Sequence, residues 1–184
     1  MRQAHTVMLA GLLLFGCSAM PELTPRSGGN PMQVDLSGQW ELQGGPARQP
    51  AAEQTIRIPS SFGRGASPGD RSRAKGPTVY VFLETGSSLK VTQTDFGLFF
   101  SFDRAIVEEY NFGEKRIVSV GPIEAQRVSG WDGRVFVAET MDRDGNLLAE
   151  RWYLGDDSGT LIRDISISRG EIVDFESRQV FARN

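Results

Sequence analysis

The side chains that carry most acid–base and nucleophilic chemistry are nearly absent from this sequence. Its one histidine, His5, and its one cysteine, Cys17, both fall within the first 17 residues. If that leader is processed, the remaining chain has no imidazole and no free thiol, which excludes His-based triads, Cys nucleophiles, Cys/His zinc sites and disulfides. Carboxylates remain, but their spacing is uninformative. Glu108-Glu109-Tyr110 sets two side by side, and adjacent residues of a strand point to opposite faces. A glycosidase pair needs two carboxylates about 5–10 Å apart across a cleft. Asp142-Arg143-Asp144-Gly145-Asn146 has the acids of a calcium loop without its spacing, because the loop needs Gly at the sixth position and an acid at the twelfth, where this chain has Tyr153. It reads as a hairpin turn. Asp95-Phe96-Gly97 also reads as a turn, and no Gly-rich phosphate loop occurs. No catalytic residue, metal or cofactor is expected, and the reading is of a protein that is not an enzyme. With 20 Lys+Arg against 23 Asp+Glu and a formal charge of −3, nucleic acid is not the expected partner.

Cys17 is the exception, because its setting suits modification. Residues 1–6 carry one firm positive charge, Arg2, and Val7–Phe15 is an apolar run far short of the ~20 residues that span a bilayer. This is signal-peptide chemistry over residues 1–16. Leu14-Phe15-Gly16-Cys17 resembles the lipobox of bacterial lipoproteins. The resemblance implies cleavage before Cys17, a diacylglyceryl group on its sulfur and a further acyl chain such as palmitate on the new amine. Each buried CH₂ contributes about 0.8 kcal/mol, so two or three chains anchor a protein to a membrane stably. Ser18 is not the aspartate linked in that family to inner-membrane retention. The expected location is the outer membrane, periplasmic face, with the periplasmic face of the inner membrane as the alternative.

The rest of the chain sets out one domain behind a tether. Residues 17–34 comprise Cys17 and a stretch from Ser18 to Val34 rich in Pro, Gly, Ser and Thr, as flexible linkers are, and those 17 residues of coil span roughly 20–25 Å. From residue 35 to 184 short apolar or alternating runs recur every 9–12 residues between turn signals. The expected strands are Leu36–Gln43, Thr55–Ile58, Thr78–Thr85, Leu89–Thr94, Leu98–Asp103, Ile106–Phe112, Arg116–Val120, Ile123–Ser129, Val135–Met141, Leu147–Leu154, Thr160–Ser168 and Ile172–Phe181. Asp132-Gly133 and Asp144-Gly145 are strong hairpin signals. The fold class expected is all-β, an antiparallel meander closed or partly closed into a barrel of about 8–10 strands, since closure removes exposed edges. Val135 and Val137 alternate with Phe136 and Ala138, so that strand is expected to be covered on both faces. Glu150 falls on the same face as Leu148 and Trp152, and an inward Glu150 requires a partner such as Arg163 or Arg127.

Ser37-Gly38-Gln39-Trp40 resembles the Gly-x-Trp opening of lipocalins, and Ala125–Gly133 with Phe136-Val137 resembles lipocalin-like bacterial envelope proteins. The resemblance implies a small barrel whose floor is closed by Trp40 with an arginine from a late strand packed on it, Arg163 or Arg178, with Arg163 preferred. Trp40, Phe100, Phe102, Tyr110, Trp131, Phe136 and Trp152 then either line a cavity for a small amphiphilic or apolar ligand or pack solid. Residues 59–77 form a long Gly/Pro-rich loop with Arg64, Arg71, Arg73 and Lys75, read as a solvated loop or an electrostatic contact with anionic envelope surfaces. The leading expectation is a non-enzymatic, lipid-anchored protein that binds such a ligand in its barrel. The alternative is a structural module docking an envelope protein through its surface or basic loop.

Overall fold

The computed structural model describes residues 22–31, 33–44 and 77–184. Cys17, the expected strand Thr55–Ile58 and the basic residues Arg64, Arg71, Arg73 and Lys75 lie outside the described residues. Among the described residues ten strands follow one another: β1 Gly38–Leu42, β2 Ser88–Gln93, β3 Gly97–Phe102, β4 Ile106–Asn111, β5 Glu114–Val120, β6 Ile123–Asp132, β7 Val135–Asp142, β8 Asn146–Leu154, β9 Thr160–Arg169 and β10 Ile172–Arg183. All neighbours pair antiparallel, and β1 pairs with both β2 and β10. The sheet order is β4-β3-β2-β1-β10-β9-β8-β7-β6-β5, so the meander wraps into a barrel whose one seam lies between β4 and β5.

Side chains close that seam where the backbone ladder does not. The Arg116 guanidinium donates to the Glu109 carbonyl at 2.6 Å, and the Ser129 hydroxyl to the Asn111 carbonyl at 2.7 Å. The Asp-Gly hairpins form as expected, with Gly133 at φ 59° and Gly145 at φ 79° in the left-handed region that glycine adopts without a Cβ clash. The Asp142 carboxylate accepts from the backbone N–H groups of Asp144 and Asn146 and from Thr78 at 2.7 Å. The hairpin's own donors occupy it, as suits a turn.

The two ends of the barrel are stoppered differently. At the Trp40 end, residues 33–37 run beneath the strands. The Gln93 side chain takes the Leu36 N–H at 2.9 Å and donates to the Val34 carbonyl at 2.8 Å, burying Val34 and Leu36. At the opposite end Thr78–Phe82 is a 3₁₀ turn, which sinks Val79 and Phe82 among Ala125, Leu148, Ile165 and Ile167. This corrects the strand expected over Thr78–Thr85. Its β-branched and aromatic residues suit a half-buried pleated surface, but both edges of β1 are already taken, and its apolar residues are buried as a stopper instead.

Residues 22–31 are not a free tether either. Ser27 bridges Trp131, with the Trp131 N–H on the Ser27 carbonyl at 3.1 Å, Arg26 pairs with Glu139, and Glu22 with Lys115. This strap explains why Val128 and Val137 are buried although they face outward. Gly130, the partner of Val137 in the ladder, lies directly under it, and a Cβ there would stand 2.4 Å from the Ser27 carbonyl oxygen. Gly130→Val is therefore expected to lift the strap, at some cost to the barrel as well, since Gly130 has φ 156° and its Cβ would also stand 3.1 Å from the Gly113 nitrogen. Limited trypsinolysis should then cut after Arg26 many times faster than in the parent, and equal cutting rates would refute the fit.

Candidate functional site

Inward-facing residues divide the barrel into three layers. The Trp40 end holds an aromatic cluster that includes all seven residues picked out in the sequence: Trp40, Phe100, Phe102, Tyr110, Trp131, Phe136 and Trp152. Phe136 is the hub, with ring centroids 5.6 Å from Trp131, 5.7 Å from Tyr110 and 6.1 Å from Phe100. Phe100 of β3 stacks on Trp152 of β8 at 4.4 Å, so side chains of opposite walls are in contact. The stopper end holds the aliphatic cluster around Val79 and Leu148. Between them lies a polar layer.

Register builds that layer. Trp152, Arg163 and Gln179 face one another across β8, β9 and β10, all pointing inward and all at most 2% exposed. Glu150, two residues before Trp152, shares its face. The Arg163 Nε–H donates to Glu150 Oε1 at 2.9 Å, with Nη2 on the same oxygen. Nη1 of Arg163 donates to the Gln179 side-chain oxygen at 3.0 Å and to the Glu84 carbonyl at 2.8 Å. The partner required for Glu150 is thus Arg163. Across the barrel Arg127 donates from Nε to Thr140 at 2.9 Å and from Nη1 to Glu108 at 2.7 Å, and lies 5.2 Å from the Tyr110 ring centroid. Desolvation, joined by the Glu150 carboxylate, pushes the Tyr110 hydroxyl above its ordinary pKa, so it stays neutral.

The expected Trp40–Arg163 floor pair does not form. Arg183 lies opposite Trp40 in the ladder, its guanidinium carbon 4.5 Å from the indole, while Arg163 sits over Trp152 at 4.6 Å. A late-strand arginine does cover Trp40, but it is the terminal one. Arg163 stands level with the middle of the barrel, where Glu150 draws it. Arg178, the other candidate, pairs with Asp164 on the outer face.

Sequence reading passed over Glu84, Glu108, Thr140 and Gln179. The available signal was parity, since Arg127 shares a strand face with Ala125, Ser129 and Trp131, and Gln179 with Phe181.

The layer holds three carboxylates, Glu84, Glu108 and Glu150, against two guanidinium groups. Burial, reinforced by Glu108, raises the Glu84 pKa above the usual carboxylate value. A carboxyl whose folded pKa is raised works against the fold where it is ionised. That cost is full above the folded pKa and gone below the unfolded one, about 4.3. Glu84→Gln is expected to raise the urea midpoint at pH 7 and to leave it unchanged near pH 3, and a lower midpoint at pH 7 would contradict this. Two buried donors in the layer, Trp152 Nε1 and Gln179 Nε2, have no hydrogen-bond partner among the described residues, and neither has Trp131 Nε1 in the aromatic cluster. Among the described residues no three His, Cys, Asp or Glu side chains converge to hold a metal. A surface groove lined by Arg151, Asp164, Glu176 and Arg178 lies on the outer wall.

No protein-family model matches the sequence, and no curated protein matches it. Several solved structures share the fold, two of them as follows. Apo lipid binding protein 8 of Caenorhabditis elegans is 11% identical, with 83% of this chain and 99% of that one covered at a TM-score of 0.50. A secretory abundant heat soluble protein of Ramazzottius varieornatus is 9% identical, with 82% and 96% covered at 0.51. Similarity at this identity concerns the architecture, an all-β, nearly closed ten-stranded barrel.

Proposed function

We propose that this chain is a non-enzymatic, lipid-anchored bacterial envelope protein, held through Cys17 on the periplasmic face of the outer membrane, whose lipocalin-like barrel takes one small amphiphile. The observation that carries the reading is the pair of unpartnered buried donors, Trp152 Nε1 and Gln179 Nε2, flanking Arg163. Leaving a buried N–H unsatisfied costs about 1–3 kcal/mol, which an incoming oxygen would recover. One protein of similar fold, from C. elegans, is by name a lipid-binding protein.

Charge narrows the ligand. Arg163 is committed to Glu150 and Arg127 to Glu108, and Glu84 adds a third carboxylate. A ligand carboxylate would enter against that set with no free guanidinium to receive it. A neutral head bearing an ester, amide or alcohol oxygen fits the two donors, with its apolar tail among the aromatic rings. Native mass spectrometry of the acylated full chain in detergent with 1-oleoylglycerol and with oleate tests this. The monoacylglycerol should give a stoichiometric adduct that is weakened in Trp152→Phe and Gln179→Leu, and oleate should give none. Absence of the neutral adduct would overturn the reading.

A second reading, a structural module with a solid core, is favoured by the contact of Phe100 with Trp152 across the barrel. For it the same experiment gives the apo mass throughout.

A further inference from the structure

Eight large apolar side chains stand exposed among the described residues, and three of them point outward on three consecutive strands: Phe99 on β3, Val107 on β4 and Ile117 on β5. Val107 and Ile117 are each 63% exposed. Both point outward, since Glu108 and Tyr110 of β4 and Val118 of β5 take the inward parity. Single exposed aliphatics are ordinary, whereas a group flanking one seam marks a surface with a partner.

The strap arrives at this wall. Lys115, which pairs with Glu22, is the outward residue next before Ile117 on β5, about 7 Å along the strand. Five residues lead from Glu22 back to Cys17, a reach of at most about 17 Å. An acylated Cys17 therefore keeps its bilayer within a short distance of Val107 and Ile117.

We propose that the outer wall of β4 and β5, centred on Val107 and Ile117, rests on the lipid surface that holds Cys17. The inference depends on the acylation of Cys17 proposed above. A lipid surface fits better than a strand from a second chain, because the seam-side carbonyls of Glu109 and Asn111 are already occupied by Arg116 and Ser129. Val107 and Ile117, set among the exposed polar side chains of Glu109, Lys115 and Ser119, give the wall the mixed character that suits the headgroup–acyl boundary. The barrel then lies on its side, and its strap fixes which side.

The test uses the full, acylated chain in vesicles of phosphatidylethanolamine and phosphatidylglycerol. Cys17 is the only native cysteine. With its sulfur acylated, Val107→Cys, Ile117→Cys and, as a control on exposed Glu176 of β10, Glu176→Cys each offer one free thiol for an environment-sensitive fluorophore. All three sites are exposed, so the fold is not at risk. Intact mass first reads the acyl groups, and an unacylated chain overturns both the anchoring and this inference. With acylation present, the expected result is several-fold stronger quenching by doxyl-labelled lipid at residues 107 and 117 than at 176. Equal quenching at all three sites overturns the wall assignment and leaves the anchor standing. Blue-shifted emission at 107 and 117 that lipid-borne quencher does not touch overturns it too, in favour of contact between copies of the chain.

Discussion

Glu150→Gln and Arg163→Met are each expected to destabilise the barrel by about 3–5 kcal/mol, the range for breaking a buried ion pair by removing one partner. Both side chains are at most 2% exposed, so water cannot replace the lost partner. Arg163→Met should be the costlier, because the same guanidinium also holds the Glu84 carbonyl and the Gln179 side chain. It would leave three carboxylates facing Arg127 alone. The double variant Glu150→Gln/Arg163→Met removes both charges together and should fall well short of the summed single losses. Equilibrium urea unfolding of the four proteins gives the coupling directly. Additive losses would mean that the two groups do not depend on each other, against their geometry. A stability of 5–15 kcal/mol is usual for a domain, so Arg163→Met is expected to lie near the edge of folding.

That pair was legible in the sequence for a simple reason. On a strand, parity assigns faces, and Glu150 and Arg163 each interrupt an apolar stripe, between Leu148 and Trp152 and between Leu161 and Ile165. An inward charge has to find an opposite one. The Asp-Gly hairpins were legible on equally local grounds. What local pattern could not supply was closure. Whether Arg163 or Arg183 reaches Trp40 depends on how β10 returns to β1, a pairing between residues more than 140 positions apart. The 3₁₀ turn at Thr78–Phe82 was misread for the same kind of reason, since its composition suits a strand and only the completed sheet denies it an edge. The strap over Val128 and Gly130 was hidden by composition, because Pro, Gly and Ser read as linker wherever they occur. Yet the loss of alternation over Phe136–Ala138 already called for a cover on the outer face. Sequence reading found the aromatic cluster and most of one half of the polar layer, and missed Glu108 and Thr140 because a single acid or hydroxyl on a strand carries no periodic signal.

Phe136→Ala discriminates between the two readings of the interior. Phe136 is fully buried and sits in ring contact with Phe100, Tyr110, Phe112 and Trp131. Removing its ring from a solid core is expected to cost about 3–5 kcal/mol, the lost transfer energy plus the cavity left behind. In a rigid barrel the hole persists, stays dry and takes up a small apolar molecule such as benzene. The variant's urea midpoint should then rise with benzene concentration, while that of the parent does not move. A barrel built to part its walls for an amphiphile behaves differently. Its rings re-pack, the cavity collapses, and the cost falls below that range. A small loss without benzene rescue supports the ligand-binding barrel, and a full loss with rescue supports the solid module. Phe136 takes no part in the polar layer, so the result does not depend on the charges that Glu150 and Arg163 balance.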